Sequence, residues 1–184
     1  MSNSAFLPRL PVYTGVYSLN VPVPAQVGAL ATDIARSLPE ARPRSRGTHT
    51  LGVKRLTTST HDSYNHTEAR VRELLVGQPS FEVRVHQIDY FAEASTGPSP
   101  VVYLGVESPE LRRLHRELAE AFPPISGIGG DAYTPHITVA RGGTLADAKR
   151  VAERDIDPIT WTVTELLFWD ATHRQPVSRL SLPA

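Results

Sequence analysis

The run Ser95-Thr96-Gly97-Pro98-Ser99-Pro100 breaks the chain near its middle, and the sequence on either side of it reads as the same order of elements. Gly and Pro at this density end any periodic segment. Before the break, β-branched and alternating runs predict strands over Val12–Val23, Thr48–Leu56 and Phe81–Phe91. Between them, apolar residues at helical spacing predict helices over Pro24–Leu38 and His66–Val76. After the break, strands are expected over Val101–Val106, Thr134–Arg141, Ile159–Trp169 and Pro176–Leu182, with helices over Ser108–Phe122 and Leu145–Ala152. Ser108 suits an N-cap and Pro109 the first helical position. The order β-α-β-α-β followed by β-α-β-α-β-β predicts an α+β fold with an internal structural duplication. The expected organisation is a single domain over 1–184, its first lobe about 12–94 and its second about 100–182, with exchange of strands between lobes allowed.

Composition narrows the chemistry. Lys plus Arg and Asp plus Glu number 19 each, so the formal net charge is zero and no global field draws a polyanion or a membrane. An anionic substrate must be held by a local patch. The absence of cysteine excludes disulfides, thiolate catalysis and Cys-based zinc sites. The first residues, Met1 to Pro8, lack the basic and apolar regions of a signal peptide. No run approaches the ~18 apolar residues of a membrane span. A cytoplasmic protein with no membrane association is expected.

The stretch Tyr133-Thr134-Pro135-His136-Ile137-Thr138-Val139-Ala140-Arg141 carries the chemistry. Strand side chains alternate, so His136 and Thr138 share one face while Ile137 and Val139 share the other. Arg141 falls on the opposite parity to Thr138 unless the strand twists or ends. The strand Thr48–Leu56, with His49-Thr50, holds the equivalent place in the first half. A pseudo-two-fold would set the two strands side by side. Two imidazoles across a groove, with pKa near ~6.5, can serve as base and acid. Thr50 and Thr138 hydroxyls can donate to phosphoryl oxygens. Arg42, Arg44, Arg46, Lys54 and Arg55 supply local positive charge.

At these residues the chain resembles the two-histidine phosphoesterase superfamily, which includes 2′-5′ RNA ligase-like proteins and RNA 2′,3′-cyclic phosphodiesterases. That family carries two His-x-Thr/Ser motifs on central strands of a duplicated α/β fold. Residues 133–141 look like its second motif without departure. The resemblance implies two lobes, each an antiparallel-rich sheet with helices on its outer face, and an active groove between them. It implies His49 and His136 as catalytic residues, with Thr50, Thr138, Arg141 and Tyr133 in substrate contact. It implies hydrolysis of a 2′,3′-cyclic phosphate on an RNA end or nucleotide, with 2′-5′ ligation as the reverse reaction.

The first motif departs from the family pattern, because His49 and Thr50 are adjacent. Aligned on Thr50, the histidine position falls on Thr48. Aligned on His49, the threonine position falls on Leu51. Strict alternation puts His49 with Leu51 and Val53 on the core side. It reaches the groove only through an irregularity such as a β-bulge beside Gly47; otherwise it is buried and the site has one histidine.

The remaining histidines read as bystanders: His61 and His66 in or beside a polar loop, His86 on a solvent face, His115 on the polar face of its helix and His173 in a turn. None shows metal-ligand spacing with carboxylates, so no metal and no cofactor are expected. Trp161 and Trp169 share parity on one expected strand and read as core. The expected partner is an RNA end or a cyclic nucleotide bound by a monomer. Competing expectations are a non-catalytic RNA- or nucleotide-binding module with a degenerate first motif, and an ordinary α+β domain serving a protein partner.

Overall fold

The computed structural model describes residues 16–57, 63–122 and 133–184. The expected arm at 1–11, His61 and the loop up to Asp131 lie outside the described residues. The elements run β1 (Val16–Pro22), α1 (Ala25–Ala35), β2 (Ala41–Pro43), β3 (Thr50–Thr57), α2 (Tyr64–Leu74), β4 (Phe81–Phe91), β5 (Val101–Glu107), α3 (Pro109–Ala121), β6 (His136–Gly142), α4 (Leu145–Ala152), β7 (Ile159–Val163), β8 (Glu165–Asp170) and β9 (Gln175–Ser181). All paired strands are antiparallel and form one sheet of order β7-β4-β5-β6-β3-β1-β8-β9, with β2 beside β6.

That order makes the molecule an α+β fold whose halves trade strands. β4 pairs with β5 and β7, away from β1 and β3. The expected strand 159–169 is two strands. Its first part joins β4, and its second part crosses to β1. Thr164, exposed between them, marks the switch. Trp161 and Trp169 therefore sit on different strands, and both are only half-buried. Trp169 lies opposite Ser18, on the face away from the core.

One face of the sheet is covered by the helices. Leu19 and Val21 of β1, Leu51 and Val53 of β3, Leu104 of β5, and Ile137 and Val139 of β6 pack with Val27, Ala31 and Ile34 of α1 and with Leu111, Leu114 and Leu118 of α3. Each of the Val, Leu and Ile side chains among them contributes ~1.5–3 kcal/mol by leaving water. The Ser108 hydroxyl caps α3 by accepting from the Leu111 amide at 3.2 Å, as its position predicts. His115 departs from expectation. It follows Leu111 by four residues, which places it on the buried stripe, and it is 3% exposed. Among the described residues no helix is long and apolar enough to cross a membrane.

Candidate active groove

The uncovered face is built in rows. β3 and β6 meet at Leu51 and Ile137, both on the core side. One step to either side sets Thr50 beside Thr138 and Gly52 beside His136. Two rows then run across the sheet floor. The first is Gln87, Gly105, His136, Gly52 and Asn20; the second is Asp89, Tyr103, Thr138, Thr50 and Pro22. His136 is thus flanked by two glycines. A Cβ at Gly105 would meet the Gln87 side chain at 2.9 Å, and one at Gly52 would meet Asn20 Oδ1 at 3.7 Å. The missing Cβ at Gly105 lets the Gln87 carboxamide lie close to the floor beside the imidazole, whereas a Cβ at Gly52 would make only ordinary contact with Asn20.

His136 is half-buried and held from three directions. Its Nδ1–H donates to the Thr134 carbonyl at 2.7 Å. That bond leaves Nε2 as the lone-pair nitrogen. Phe91 and Tyr103 stack on each other with centroids 4.3 Å apart, and stand 5.2 and 5.3 Å from the imidazole. Burial pushes the His136 pKa down; the Thr134 bond opposes this and the Arg141 charge adds to it. The imidazole is therefore held neutral to lower pH than an ordinary histidine. The Tyr103 hydroxyl donates to Asp89 Oδ2 at 3.2 Å, and burial, with Asp89 beside it, raises its pKa to about 12.

The odd spacing of Arg141 is resolved by a bulge. The β5–β6 register slips between Thr138 and Ala140, with Val139 extra, so Arg141 returns to the face of Thr138. β3 does the same at Val53, where its register with β1 slips, and Arg55 returns to the face of Thr50 and Gly52. Arg141 donates to the Thr96 carbonyl at 2.9 Å and stands opposite Arg42 of β2.

His49 is not brought to the groove. Gly47, with φ 80°, lies in the turn before β3, and His49 stands between that turn and the strand with its side chain under α1. It is 7% exposed, its Nδ1 lies 3.7 Å from the Cβ position of Gly28, and neither ring nitrogen has a hydrogen-bond partner among the described residues. Burial, aided by Arg44, lowers its pKa. The residue that matches His136 by the pseudo-two-fold is Thr48, two before Thr50 as His136 is two before Thr138. The Thr48 hydroxyl donates to the Ser45 carbonyl at 2.7 Å.

Tyr133 also has a different position from the one expected. Its ring stacks on His115 at 3.8 Å and 7°, and its hydroxyl donates to the Gly52 carbonyl at 2.7 Å. His115 Nδ1 in turn bonds the Val53 carbonyl at 2.7 Å. With one face taken by His115 and its hydroxyl committed to β3, Tyr133 is a strut between the two motif strands rather than a surface for a base. Sequence reasoning missed Asn20, Gln87, Phe91 and Tyr103. Their signal was parity: Tyr103 and Gly105 alternate with Val102 and Leu104, so one face of an apparently uniform apolar strand had to be different.

A curled antiparallel sheet, helices on one face and a histidine–threonine strand on the floor of the other define the class of two-lobed α+β groove proteins. The chain belongs to the 2′-5′ RNA ligase superfamily, whose family model matches residues 55–175. The match begins beyond the first motif and contains all of the second. Among solved structures, TT0787 of Thermus thermophilus is similar at 19% identity, over 91% of this chain and 97% of that one, with TM-score 0.65. LigT of E. coli complexed with 3′-AMP matches at 19% identity, over 93% and 99%, with TM-score 0.65. Usb1 of Kluyveromyces marxianus matches at 12% identity, over 95% and 100%, with TM-score 0.61. Comparison with curated proteins gives no match.

Proposed function

We propose that the groove binds the phosphate of an RNA end or cyclic nucleotide and hydrolyses a 2′,3′-cyclic phosphate, with His136 as its one working histidine and no metal. The observation that carries this reading is the Nδ1 bond of His136 to Thr134 on a floor shared with Thr138 and Thr50. A neutral imidazole with a defined lone pair is what a general base requires.

In this reading Nε2 takes a proton from water as the water oxygen bonds to phosphorus. The bond from phosphorus to one ribose oxygen breaks, and that oxygen takes a proton from solvent. Thr50 and Thr138 donate to the phosphoryl oxygens, and Arg141 balances their growing charge. A positioned acid is worth ~10²–10⁴ in rate, so turnover is slow by that factor relative to a two-histidine site. The same groups serve 2′-5′ ligation when a 5′-hydroxyl replaces water: Nε2 takes the hydroxyl proton, the 5′ oxygen bonds to phosphorus, the bond to the ribose 3′ oxygen breaks, and that oxygen takes a proton from solvent.

A second reading, capture of the phosphate without turnover, is favoured by Thr48 in the histidine slot. The test uses cyclic-phosphate-ended RNA and 2′,3′-cyclic nucleotides, with product and binding measured for the native chain and for His136→Ala. Loss of cleavage in the variant supports hydrolysis. Unimpaired cleavage by the variant overturns it. Binding without any product by the native chain leaves the capture reading.

A further inference from the structure

Gly105 has no backbone reason to be glycine. It lies inside β5 with apolar residues on either side, and its φ is not in the left-handed region. What its missing Cβ makes room for is Gln87: a Cβ there would meet Gln87 Cγ at 2.9 Å and Nε2 at 3.2 Å. Gln87 reaches this place through a third bulge. The β4–β5 register slips between Val85 and Gln87, with His86 extra. Val83, Val85 and Ile88 all stay in the core, so Gln87 turns to the face of Asp89 and Phe91. Without the slip, Gln87 would follow Val83 and Val85 inward. A bulge and a glycine together lay one exposed carboxamide flat on the floor beside His136.

The imidazole leans to the same side. Gly105 pairs with His136, and opposite side chains on antiparallel strands stand about 4.5–5.5 Å apart at Cβ. The His136 ring lies 5.2 Å from Phe91 of β4 and 5.3 Å from Tyr103 of β5, so it is tipped over β5 toward β4. The gap between ring and carboxamide is the size of a water. Nδ1 of the ring is committed to the Thr134 carbonyl. Asp89, the carboxylate on this flank, is engaged through both oxygens, by the Tyr90 amide and the Tyr103 hydroxyl. The Gln87 carboxamide has no hydrogen-bond partner among the described residues, so either its oxygen or its nitrogen can turn to the gap.

We propose that Gln87 selects water as the nucleophile of this site, its Oε1 accepting one water hydrogen while His136 Nε2 takes the other. The inference rests on the reading above and assigns it a further residue. The water oxygen bonds to phosphorus, its one proton passes to Nε2, and the ribose oxygen leaves and takes a proton from solvent. The hydrogen held by Gln87 stays on the product hydroxyl, so Gln87 gains and loses no proton. A water held by one bond pivots about it; a second acceptor fixes its lone pair toward phosphorus. An alcohol has a single hydroxyl hydrogen and cannot use that second acceptor. Gln87 therefore favours hydrolysis over transfer to an alcohol.

The test is cleavage of a 2′,3′-cyclic nucleotide in water containing methanol, with the monophosphate and its methyl ester both counted. Gln87→Leu keeps the bulk of the side chain and removes its acceptor. Hydrolytic kcat is expected to fall about tenfold, the worth of one neutral hydrogen bond, with KM within about twofold. Methyl ester formation persists, so the ester-to-monophosphate ratio rises about tenfold. Gln87→Glu retains an acceptor and keeps the native ratio. Gly105→Ala displaces the carboxamide while Gln87 is still present; it raises the ratio as Gln87→Leu does and adds nothing in the double variant. A ratio unchanged in Gln87→Leu, even with both products reduced, overturns the selection of water by Gln87. A Gly105→Ala effect that persists in full in the Gln87→Leu background assigns it to the imidazole and also overturns the inference. Neither product from the native chain overturns the proposed function as well.

Discussion

Replacing Thr48 by His should build the acid that the groove lacks. The pairing of Leu51 with Ile137 puts Thr50 beside Thr138, so position 48 stands to Thr50 as His136 stands to Thr138. An imidazole there faces the same floor from the opposite strand. The substitution removes the hydroxyl bond to the Ser45 carbonyl, a loss of ~0.5–1.5 kcal/mol in a half-buried turn. The gain is a second acid–base group worth ~10²–10⁴ in rate, or about 2.7–5.4 kcal/mol of barrier at 1.36 kcal/mol per decade. The gain exceeds the loss and acts on a different quantity, so a folded and faster variant is expected. The assay is single-turnover cleavage of a 2′,3′-cyclic phosphate by the native chain and by Thr48→His. The pH profile should change from one ionisation to a bell with two. A stable Thr48→His variant that binds as before but cleaves no faster, with an unchanged profile, would refute the assignment of position 48 as the vacant histidine slot.

Four further outcomes follow from the same geometry. His49→Leu should be stabilising, because an unpaired buried polar ring, costing ~1–3 kcal/mol, becomes apolar; Tm should rise ~2–4 °C per kcal/mol with cleavage unchanged. His49 also sets a pH dependence: its folded pKa lies below the unfolded ~6.5, so its contribution is intact above that value and is lost as pH falls through the folded pKa. Denaturant unfolding between pH 7 and 5 should show that part of the acid loss vanish in His49→Leu. His136 titrates below an ordinary imidazole, so the acid limb of the rate should lie below pH ~6.5; removing the Arg141 charge in Arg141→Gln should move that limb upward. Tyr133→Phe deletes the bond to the Gly52 carbonyl that braces the segment holding the Thr134 acceptor. It should lower kcat more than it raises KM and shift the His136 limb, whereas a packing role alone would leave the limb in place.

Much of this arrangement could be read from the residues because it follows local periodicity. The His136 and Thr138 face, the α3 cap at Ser108 and the order of elements all come from spacing. Parity with Leu51 and Val53 also points His49 inward, and its side chain is buried. What stayed hidden depends on pairing between distant strands. Nothing local in Ile159–Trp169 shows that its two ends join different partners. The bulges at Val53 and Val139 are register slips between strands, visible beforehand only as the odd spacing of Arg141 from Thr138. His115 was legible, being four residues from Leu111, but its polarity outweighed its position. The orientation of Tyr133 is not legible from its place beside the motif, because its partner His115 lies on a helix that sequence spacing does not bring near.

In the proposed site His136 meets the phosphate and His49 does not. Long-range ¹H–¹⁵N spectra of the imidazoles, recorded while a 3′-phosphate ribonucleotide is added, test it directly. The ring signals of His136 are expected to shift on binding, with Nδ1 remaining the protonated nitrogen, while those of His49 stay fixed and neutral across the titration. Shifts of His49 equal to those of His136 would contradict it and return both histidines to the groove.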